Sequence, residues 1–193
     1  MSQPEVIQET SEQKIIESNV LILDNVFNAQ QVDSLLCLVE HWQNRFLETE
    51  TGDDNTRSRD TSRRDSLVLF EFEPIFSFFR VNLYRYAPLL QERFGYQMQM
   101  HKGFECQLTA HNDGHFYMAH TDYTPNTGTR VSLRELTFVY YFYRQPKAFS
   151  GGELYIWDNL DDTCSPPVVA QQGKLLEPLN NIIVFFNSNY LHQ

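Results

Sequence analysis

Three of the six histidines of this sequence lie in one short stretch, residues 110–123. His111, His115 and His120 fall within it, and Asp122 follows His120 after a single intervening residue. Residues i and i+2 of an extended strand point to the same face. A strand here would therefore present an imidazole and a carboxylate side by side, which are two of the donor types that bind metal ions.

A metal site needs a third donor, and His192 is the candidate. It closely follows the apolar run 182–186, which is typical of a buried strand. Two histidines and one carboxylate on one face of a metal, with the other positions open, form the facial triad of non-haem Fe(II) oxygenases. The open positions of such a site would accept a chelating co-substrate and then dioxygen.

The same histidines allow two other interpretations. In the first, His111, His115 and His120 hold another metal, such as zinc or manganese. Structural zinc sites prefer closed four-ligand sets, and this chain has no cysteine pair that would complete one. In the second, the histidines are incidental residues of an α+β domain that binds no metal.

Two helical segments precede a series of short strands. The apolar run 20–23 predicts a first strand, and Asn28 has the residue type of an N-cap for a helix that ends by about Glu48. Residues 75–94 predict a second helical stretch, bent or divided at Pro88. Further strands are predicted at 98–110, 116–121, 136–143, 153–157, 168–169 and 181–186. This order indicates an α+β fold in which helices support a sandwich or jelly roll.

The segment between the two predicted helices, residues 49–66, contains no apolar residue and four arginines, Arg57, Arg59, Arg63 and Arg64. Its composition is typical of a solvated loop. The alternative is a flexible lid whose arginines bind an acidic substrate, because binding groups concentrate on such loops.

Length and charge restrict the class of protein. The chain has 193 residues, which argues for one domain, and a formal net charge of −10, which opposes nucleic-acid binding. No stretch is long enough to span a membrane and no signal peptide is evident, and Cys37, Cys106 and Cys164 have no paired spacing. We therefore expect a cytoplasmic protein with reduced thiols, a flexible lead-in over 1–18 and a single domain over 19–193. The composition predicts no particular oligomeric state.

An ordered set of motifs resembles the prolyl-4-hydroxylase-type 2-oxoglutarate/Fe(II)-dependent oxygenase superfamily. The motifs are Asp113-Gly114-x-x-Tyr117-x-x-His120-x-Asp122-Tyr123, Leu136 to Phe142, Ser150-Gly151-Gly152-Glu153-Leu154 and Asn181 to Phe186 leading to Leu191-His192. The opening Leu21 to Phe27, followed by the helix from Gln30, is similar to the beginning of members of that family. The resemblance covers most of the chain.

The resemblance implies a double-stranded β-helix (jelly roll) supported by two or more N-terminal helices, with His120, Asp122 and His192 as catalytic iron ligands. Tyr141 falls where some members have a tyrosine that binds the distal carboxylate of 2-oxoglutarate, and Leu154 would pack beside that co-substrate. The alternative for Tyr141 is that it is an aromatic residue of the core. The alternative for the Gly-Gly pair before Leu154 is a plain hairpin turn. The implied cofactors are Fe(II), 2-oxoglutarate and dioxygen, with ascorbate as a further candidate.

The implied activity is hydroxylation of an unactivated C–H bond with release of succinate and CO2. The substrate would be a prolyl residue in a peptide or protein, a free amino acid or another small molecule. The sequence departs from the family pattern in two ways. His111 stands where many members have a tyrosine, so its cofactor-binding role is an expectation only. The Arg or Lys that anchors 2-oxoglutarate on the strand after the distal histidine has no counterpart, since the sequence ends at Gln193. We expect a domain that lacks its last strand or strands; the alternative is a catalytically inert jelly-roll binding module.

Overall fold

Three antiparallel strands from distant parts of the sequence form the central sheet, in the order β1 (Val20–Leu23), β10 (Ile182–Asn187) and β7 (Leu136–Tyr141). The computed structural model describes residues 19–51, 58–97, 103–123, 134–161 and 168–193. All six positions of β10 except Asn187 are buried. Since successive side chains of a strand point to opposite faces, both faces of this sheet are covered by other elements.

One face of the central sheet packs against the helices. These are α1 (Ala29–His41), α2 (Ile75–Leu83) and α3 (Ala87–Phe94). Ile183 and Phe185 of β10 belong to this larger apolar core, together with buried leucine, valine and phenylalanine side chains of the helices. Burial of these side chains from water holds the helices on the sheet.

The helices begin and end for local reasons. Asn28 is the N-cap of α1, and its side chain accepts from the backbone N–H of Gln31, whose own side chain accepts from the backbone N–H of Asn28. The helix ends at His41, earlier than the predicted Glu48. The predicted second stretch is divided at residues 84–86, a short 3₁₀ turn, so that the proline after it lies in the first turn of α3, where its missing N–H costs nothing.

Two short sheets lie beside the helices. The first has the order β2 (Leu47–Glu48), β4 (Leu67–Leu69) and β5 (Leu108–Ala110), and it contributes Leu69 and Leu108 to the larger core. The second pairs β3 (Arg64–Asp65) with β6 (Phe116–Tyr117). The predicted solvated loop therefore contains a strand, β3, although no apolar residue marks it.

The other face of the central sheet is covered by the antiparallel ribbon of β8 (Leu154–Asp161) and β9 (Val168–Leu176). A second apolar cluster fills the space between them, built from residues of β10, β8 and the segment that follows β10: Leu154, Ile156, Ile182, Val184, Phe186 and Tyr190. The last residues of the chain join this layer. Leu191 accepts from the backbone of Trp157, and Tyr155 and Gln193 exchange two backbone hydrogen bonds of 2.9 and 2.9 Å.

The α+β class is confirmed, and most predicted strands are present. The strand predicted over 116–121 is shorter, since regular pairing ends at Tyr117. The hairpin alternative for the Gly-Gly pair before β8 is wrong, because β7 and β8 belong to different sheets. The lead-in 1–18, residues 98–102 of a predicted strand, Arg57 and Cys164 lie outside the described residues.

No helix in the described ranges is both long and apolar enough to cross a bilayer. Within the same ranges, Cys37 and Cys106 are free thiols. Burial raises the pKa of Cys106 to about 12, so this thiol stays protonated at neutral pH.

Candidate metal centre

Backbone pairing brings His120 and His192 together although they are far apart in sequence. Each donates its backbone N–H to the carbonyl of the other, with both hydrogen bonds at 2.9 Å. This antiparallel bridge places the two residues directly opposite each other. The backbone N–H of Asp122 donates to the carbonyl of Ser188 at 2.9 Å, which fixes the carboxylate beside the two imidazoles.

The ligand atoms of His120, Asp122 and His192 all lie within 4.8 Å of one another. His120 Nε2 is 3.6 Å from Asp122 Oδ1, and His192 Nε2 is 3.8 Å from Asp122 Oδ2. In the part of the chain that the structure describes, no other group of three or more histidine, cysteine or acidic residues meets this spacing. The i, i+2 pair and the distant histidine singled out in the sequence thus converge at one place.

Both imidazoles present the same ring nitrogen to the carboxylate. His120 Nδ1 lies 2.9 Å from the carbonyl oxygen of Met118, and His192 Nδ1 lies 2.9 Å from that of Tyr190. A carbonyl oxygen can only accept, so we assign the proton to Nδ1 in each ring. The lone pair of each Nε2 is then free, as required of a metal-ligating histidine.

The carboxylate of Asp122 is held and kept ionised by its neighbours. Thr137 Oγ1 on β7 donates to Oδ2 at 2.7 Å and is itself 3.0 Å from Ser188 Oγ. Burial would raise the pKa of Asp122, but the neighbouring His120 and His192 and the hydrogen bond from Thr137 keep it well below its usual range. The oxygen atoms are therefore available as anionic ligands.

His192 is the most buried member of the group, with 5% of its surface exposed. Phe186 lies against its ring, with centroids 4.8 Å apart. Burial lowers the pKa of His192 to about 4, a shift that Asp122 partly opposes. The imidazole is therefore neutral at physiological pH. Two imidazole Nε2 atoms and one carboxylate fit a divalent metal that accepts nitrogen and oxygen donors.

Tyr141 and Leu154, expected beside a co-substrate, line the same interior. Thr137 and Tyr141 lie on one face of β7, and Tyr141 packs on the second apolar cluster, to which the buried Leu154 belongs. Burial, reinforced by the negative charge of Glu153, raises the pKa of Tyr141 to about 12, so its hydroxyl keeps its proton at neutral pH. Their contact with a co-substrate remains a prediction.

His111 and His115 do not join the cluster of three. Their rings are 6.4 Å apart, and His115 Nε2 lies 3.9 Å from Asp65 Oδ1. The structure therefore does not assemble the alternative site of His111, His115 and His120. Desolvation, the charge of Arg64 and the neighbouring His115 lower the pKa of His111, which keeps it neutral as well.

Three residues of the site were not singled out in the sequence for the roles that they have here. Thr137 holds the carboxylate, Tyr117 stacks on His120 with ring centroids 3.6 Å apart, and Arg64 lies over Tyr117 with Cζ 4.4 Å from the ring centroid. Thr137 could have been found from strand alternation, since it shares a face with Tyr141. Nothing in the sequence distinguishes Arg64 from the other loop arginines.

Sequence comparisons relate this chain to known oxygenases and hydroxylases. Residues 106–193 match the family model of the 2OG-Fe(II) oxygenase superfamily. An uncharacterized PKHD-type hydroxylase of Synechocystis is 35% identical over 145 residues, which cover 72% of this chain and 45% of that protein. The chain thus spans less than half the length of this curated relative.

Two solved structures share the fold at low sequence identity. A prolyl-4-hydroxylase of Pseudomonas putida superposes with a TM-score of 0.66 and 14% identity, over 91% of this chain and 84% of that one. A prolyl hydroxylase from Trichoplax adhaerens, in complex with a peptide fragment of the hypoxia inducible factor oxygen degradation domain, has a TM-score of 0.68 and 16% identity. This second match covers 91% of this chain and 76% of that one.

Proposed function

Because residues 106–193 match the family model of the 2OG-Fe(II) oxygenase superfamily, we propose that this protein is a dioxygenase that hydroxylates an unactivated C–H bond with Fe(II) and 2-oxoglutarate. The observation that carries the proposal is the group of His120, Asp122 and His192, in which both Nε2 atoms and the carboxylate face one another. The two sheets that enclose this group support the assignment of the fold as a double-stranded β-helix. Ascorbate, as a reductant for the metal, belongs to the same proposal.

The chain's own residues bind and orient the reactants. Fe(II), when bound, supplies the activation of dioxygen, which is coupled to conversion of 2-oxoglutarate to succinate and CO2. His120, Asp122 and His192 would hold the metal through two imidazole nitrogens and one carboxylate. The Tyr141 hydroxyl donates to a carboxylate of the co-substrate, and the apolar cluster around Leu154 excludes water from that side of the site.

A prolyl residue in a peptide is the substrate class that we propose, with free amino acids as the second class. The names of the relatives support the first: two structural neighbours are prolyl hydroxylases, one of them in complex with a peptide fragment. The exposed ring of Phe116 lines the same cleft as His120 and Asp122, and such an apolar side chain suits contact with a peptide.

Oxygen-dependent succinate release tests this proposal. The wild-type chain is incubated with Fe(II), 2-oxoglutarate and a panel of proline-containing peptides in air and under argon, and succinate is measured by mass spectrometry. We expect release in air that is lost in His120→Ala and retained in His41→Ala, which removes an exposed histidine of α1. Succinate at the level of His120→Ala in a wild-type chain that binds Fe(II) would contradict the proposal and favour the inert binding module.

A further inference from the structure

Among the arginines of the loop between α1 and α2, Arg64 is the one that strand pairing brings to the candidate metal centre. Arg64 lies opposite Tyr117 in the register of β3 with β6, and the backbone N–H of Met118 donates to the carbonyl of Arg63 at 2.8 Å. Directly opposed residues of an antiparallel pair share a face. The side chain of Arg64 is therefore on the same side as Tyr117.

A three-layer stack connects Arg64 to the metal-binding histidine. The guanidinium lies 4.4 Å from the Tyr117 ring centroid, and that ring stacks on His120 at 3.6 Å with an interplanar angle of 20°. Arg64 also interacts electrostatically with Asp122. Together with the ring contact, this fixes the guanidinium at the edge of the cleft that His120, Asp122 and His192 line.

A hydrogen bond at Nε holds the guanidinium of Arg64 in place and orients its remaining donors. Arg64 Nε donates to Ser66 Oγ at 3.0 Å, and Ser66, which is 1% exposed, donates in turn to Thr49 Oγ1 at 3.3 Å. An arginine has five N–H donors in a planar fork. Nε is occupied by Ser66, and a further side-chain hydrogen bond joins the guanidinium to Tyr117. The remaining terminal N–H groups are the donors left to a ligand.

Arg64 differs from three other arginines in its burial and in its ion pairing. Arg59 forms an ion pair with Glu48, Arg134 with Glu105, and Arg144 with Asp33 and Glu40. These three are all exposed or nearly so, with 40–50% of each side chain accessible. Arg64 is more buried, yet within the described residues no carboxylate lies within ion-pair distance of it. A partly desolvated charge without an ion-pair partner gains most from an anionic ligand.

We propose that Arg64 binds a carboxylate group beside the candidate metal centre. A planar guanidinium that keeps N–H donors on its terminal nitrogens matches a carboxylate with two parallel hydrogen bonds. The pKa of the neighbouring His111 is lowered by burial and by the charge of Arg64, and the carboxylate of Asp65 lies 3.9 Å from His115 Nε2. The carboxylate can come from 2-oxoglutarate or from an acidic substrate. The inference rests on the proposed function, because it places the ligand next to the bound metal.

The test measures carboxylate binding without turnover, on protein loaded with Mn(II). First, 2-oxoglutarate is titrated calorimetrically into the wild type, Arg64→Gln, Arg64→Lys and the control Arg59→Gln. Second, acetate and the neutral acetamide are added to Mn(II) protein saturated with 2-oxoglutarate, and the Mn(II)-dependent broadening of their methyl resonances is recorded. Arg59→Gln removes an exposed arginine of the same loop, and circular dichroism verifies the fold of each variant.

We expect Arg64→Gln to weaken carboxylate binding by about ten-fold or more in at least one of the two measurements. A loss of affinity for 2-oxoglutarate identifies the co-substrate as the ligand of Arg64. A loss of acetate binding alone identifies a carboxylate of the substrate. Arg64→Lys, which keeps the charge but not the fork, should retain part of the affinity. Acetamide and Arg59→Gln should show no change.

Equal results for the wild type and Arg64→Gln in both measurements would overturn the inference. If acetate shows no broadening with either protein, the acetate measurement counts as equal for the two. An equal loss for acetamide would overturn it too. These outcomes are separate from failure of the proposed function, since a wild-type chain that does not bind Mn(II) at all would contradict the metal centre itself.

Discussion

Single hydrogen bonds determine which atoms of the metal centre are free to coordinate. The carbonyls of Met118 and Tyr190 accept hydrogen bonds from Nδ1–H of His120 and His192, and the Thr137 hydroxyl donates to Asp122 Oδ2. Such contacts orient a ligand before the metal arrives and so reduce the free-energy cost of assembling the site. The chemistry therefore depends on residues that never touch the metal.

Thr137→Val tests this dependence at the residue scale. The substitution keeps the shape of the side chain and removes the donor at 2.7 Å from Asp122 Oδ2. We expect Mn(II) or Fe(II) affinity, measured by calorimetry, to fall by about 10–100-fold. Thr109→Val, at an exposed position of β5, is the matched control and should leave the affinity unchanged. An unaltered affinity in Thr137→Val would show that the carboxylate needs no support from β7.

The three residues of the candidate metal centre could be predicted from the sequence more readily than the residues that surround them. His120 and Asp122 are recognisable because their spacing has a physical consequence on a strand. Thr137 and Arg64 are not, because a threonine in an apolar strand and an arginine in a polar loop have many uses. Their roles follow only from the pairing of strands that are distant in sequence.

At the scale of elements, the ribbon of β8 and β9 supports the end of the chain that carries His192. Ile156 of β8 is bridged to His192, and the flanking backbone bonds run from Trp157 to Leu191 and between Tyr155 and Gln193. The position of His192 therefore depends on β8 being held in place by β9.

Gly173 of β9 lies opposite Trp157 of β8, where no space is left for a side chain. A Cβ atom at this position would lie 2.8 Å from Trp157 Cα and would also contact the carbonyl oxygen of Ile156. We expect Gly173→Ala to lower the free energy of unfolding by about 1–3 kcal/mol in chemical denaturation, and to weaken metal binding because β8 must shift. Gln172→Ala, on the exposed neighbour, should change neither quantity. Wild-type stability of Gly173→Ala would show that the ribbon accommodates the extra carbon.

The boundaries of helices and strands could be predicted where neighbouring residues in the sequence determine them. The N-cap at Asn28 and the first strand follow from residue type and apolar pattern. The strand β3 does not, since it depends on pairing with the distant β6. β3 has no apolar residue, yet its backbone pairs with β6 and so positions Arg64.

At the scale of the whole molecule, the central sheet separates a supporting core from the functional interior. Phe185 of β10 packs towards the helices with the larger core, whereas Phe186 packs in the second cluster against His192. Both side chains are almost completely buried. Neighbouring residues of one strand thus serve stability and site geometry separately.

Phe185→Leu and Phe186→Leu separate these two roles. Each removes part of a buried ring, so we expect each to lower the free energy of unfolding by roughly 1–3 kcal/mol. Only Phe186→Leu should also weaken Mn(II) binding in calorimetry, because only Phe186 contacts the ring of His192. Equal metal affinity in the two variants would contradict the division of the molecule into two interiors.

The α+β class and the order of helices before strands could be predicted, because the periods of apolar residues differ between the two halves. The arrangement of the strands into separate sheets could not, since β1, β7 and β10 are neighbours in space and distant in the chain. The pairing of His120 with His192 belongs to this level. Its long-range backbone bonds leave no local trace in the sequence.

Anaerobic Fe(II) titration tests the central claim most directly, because it requires neither substrate nor turnover. We predict that the wild-type chain binds Fe(II) in a single saturable phase, and that Asp122→Asn and His192→Ala bind it much more weakly while keeping the wild-type circular dichroism spectrum. Fe(II) binding of wild-type strength in both folded variants would contradict a metal centre formed by His120, Asp122 and His192.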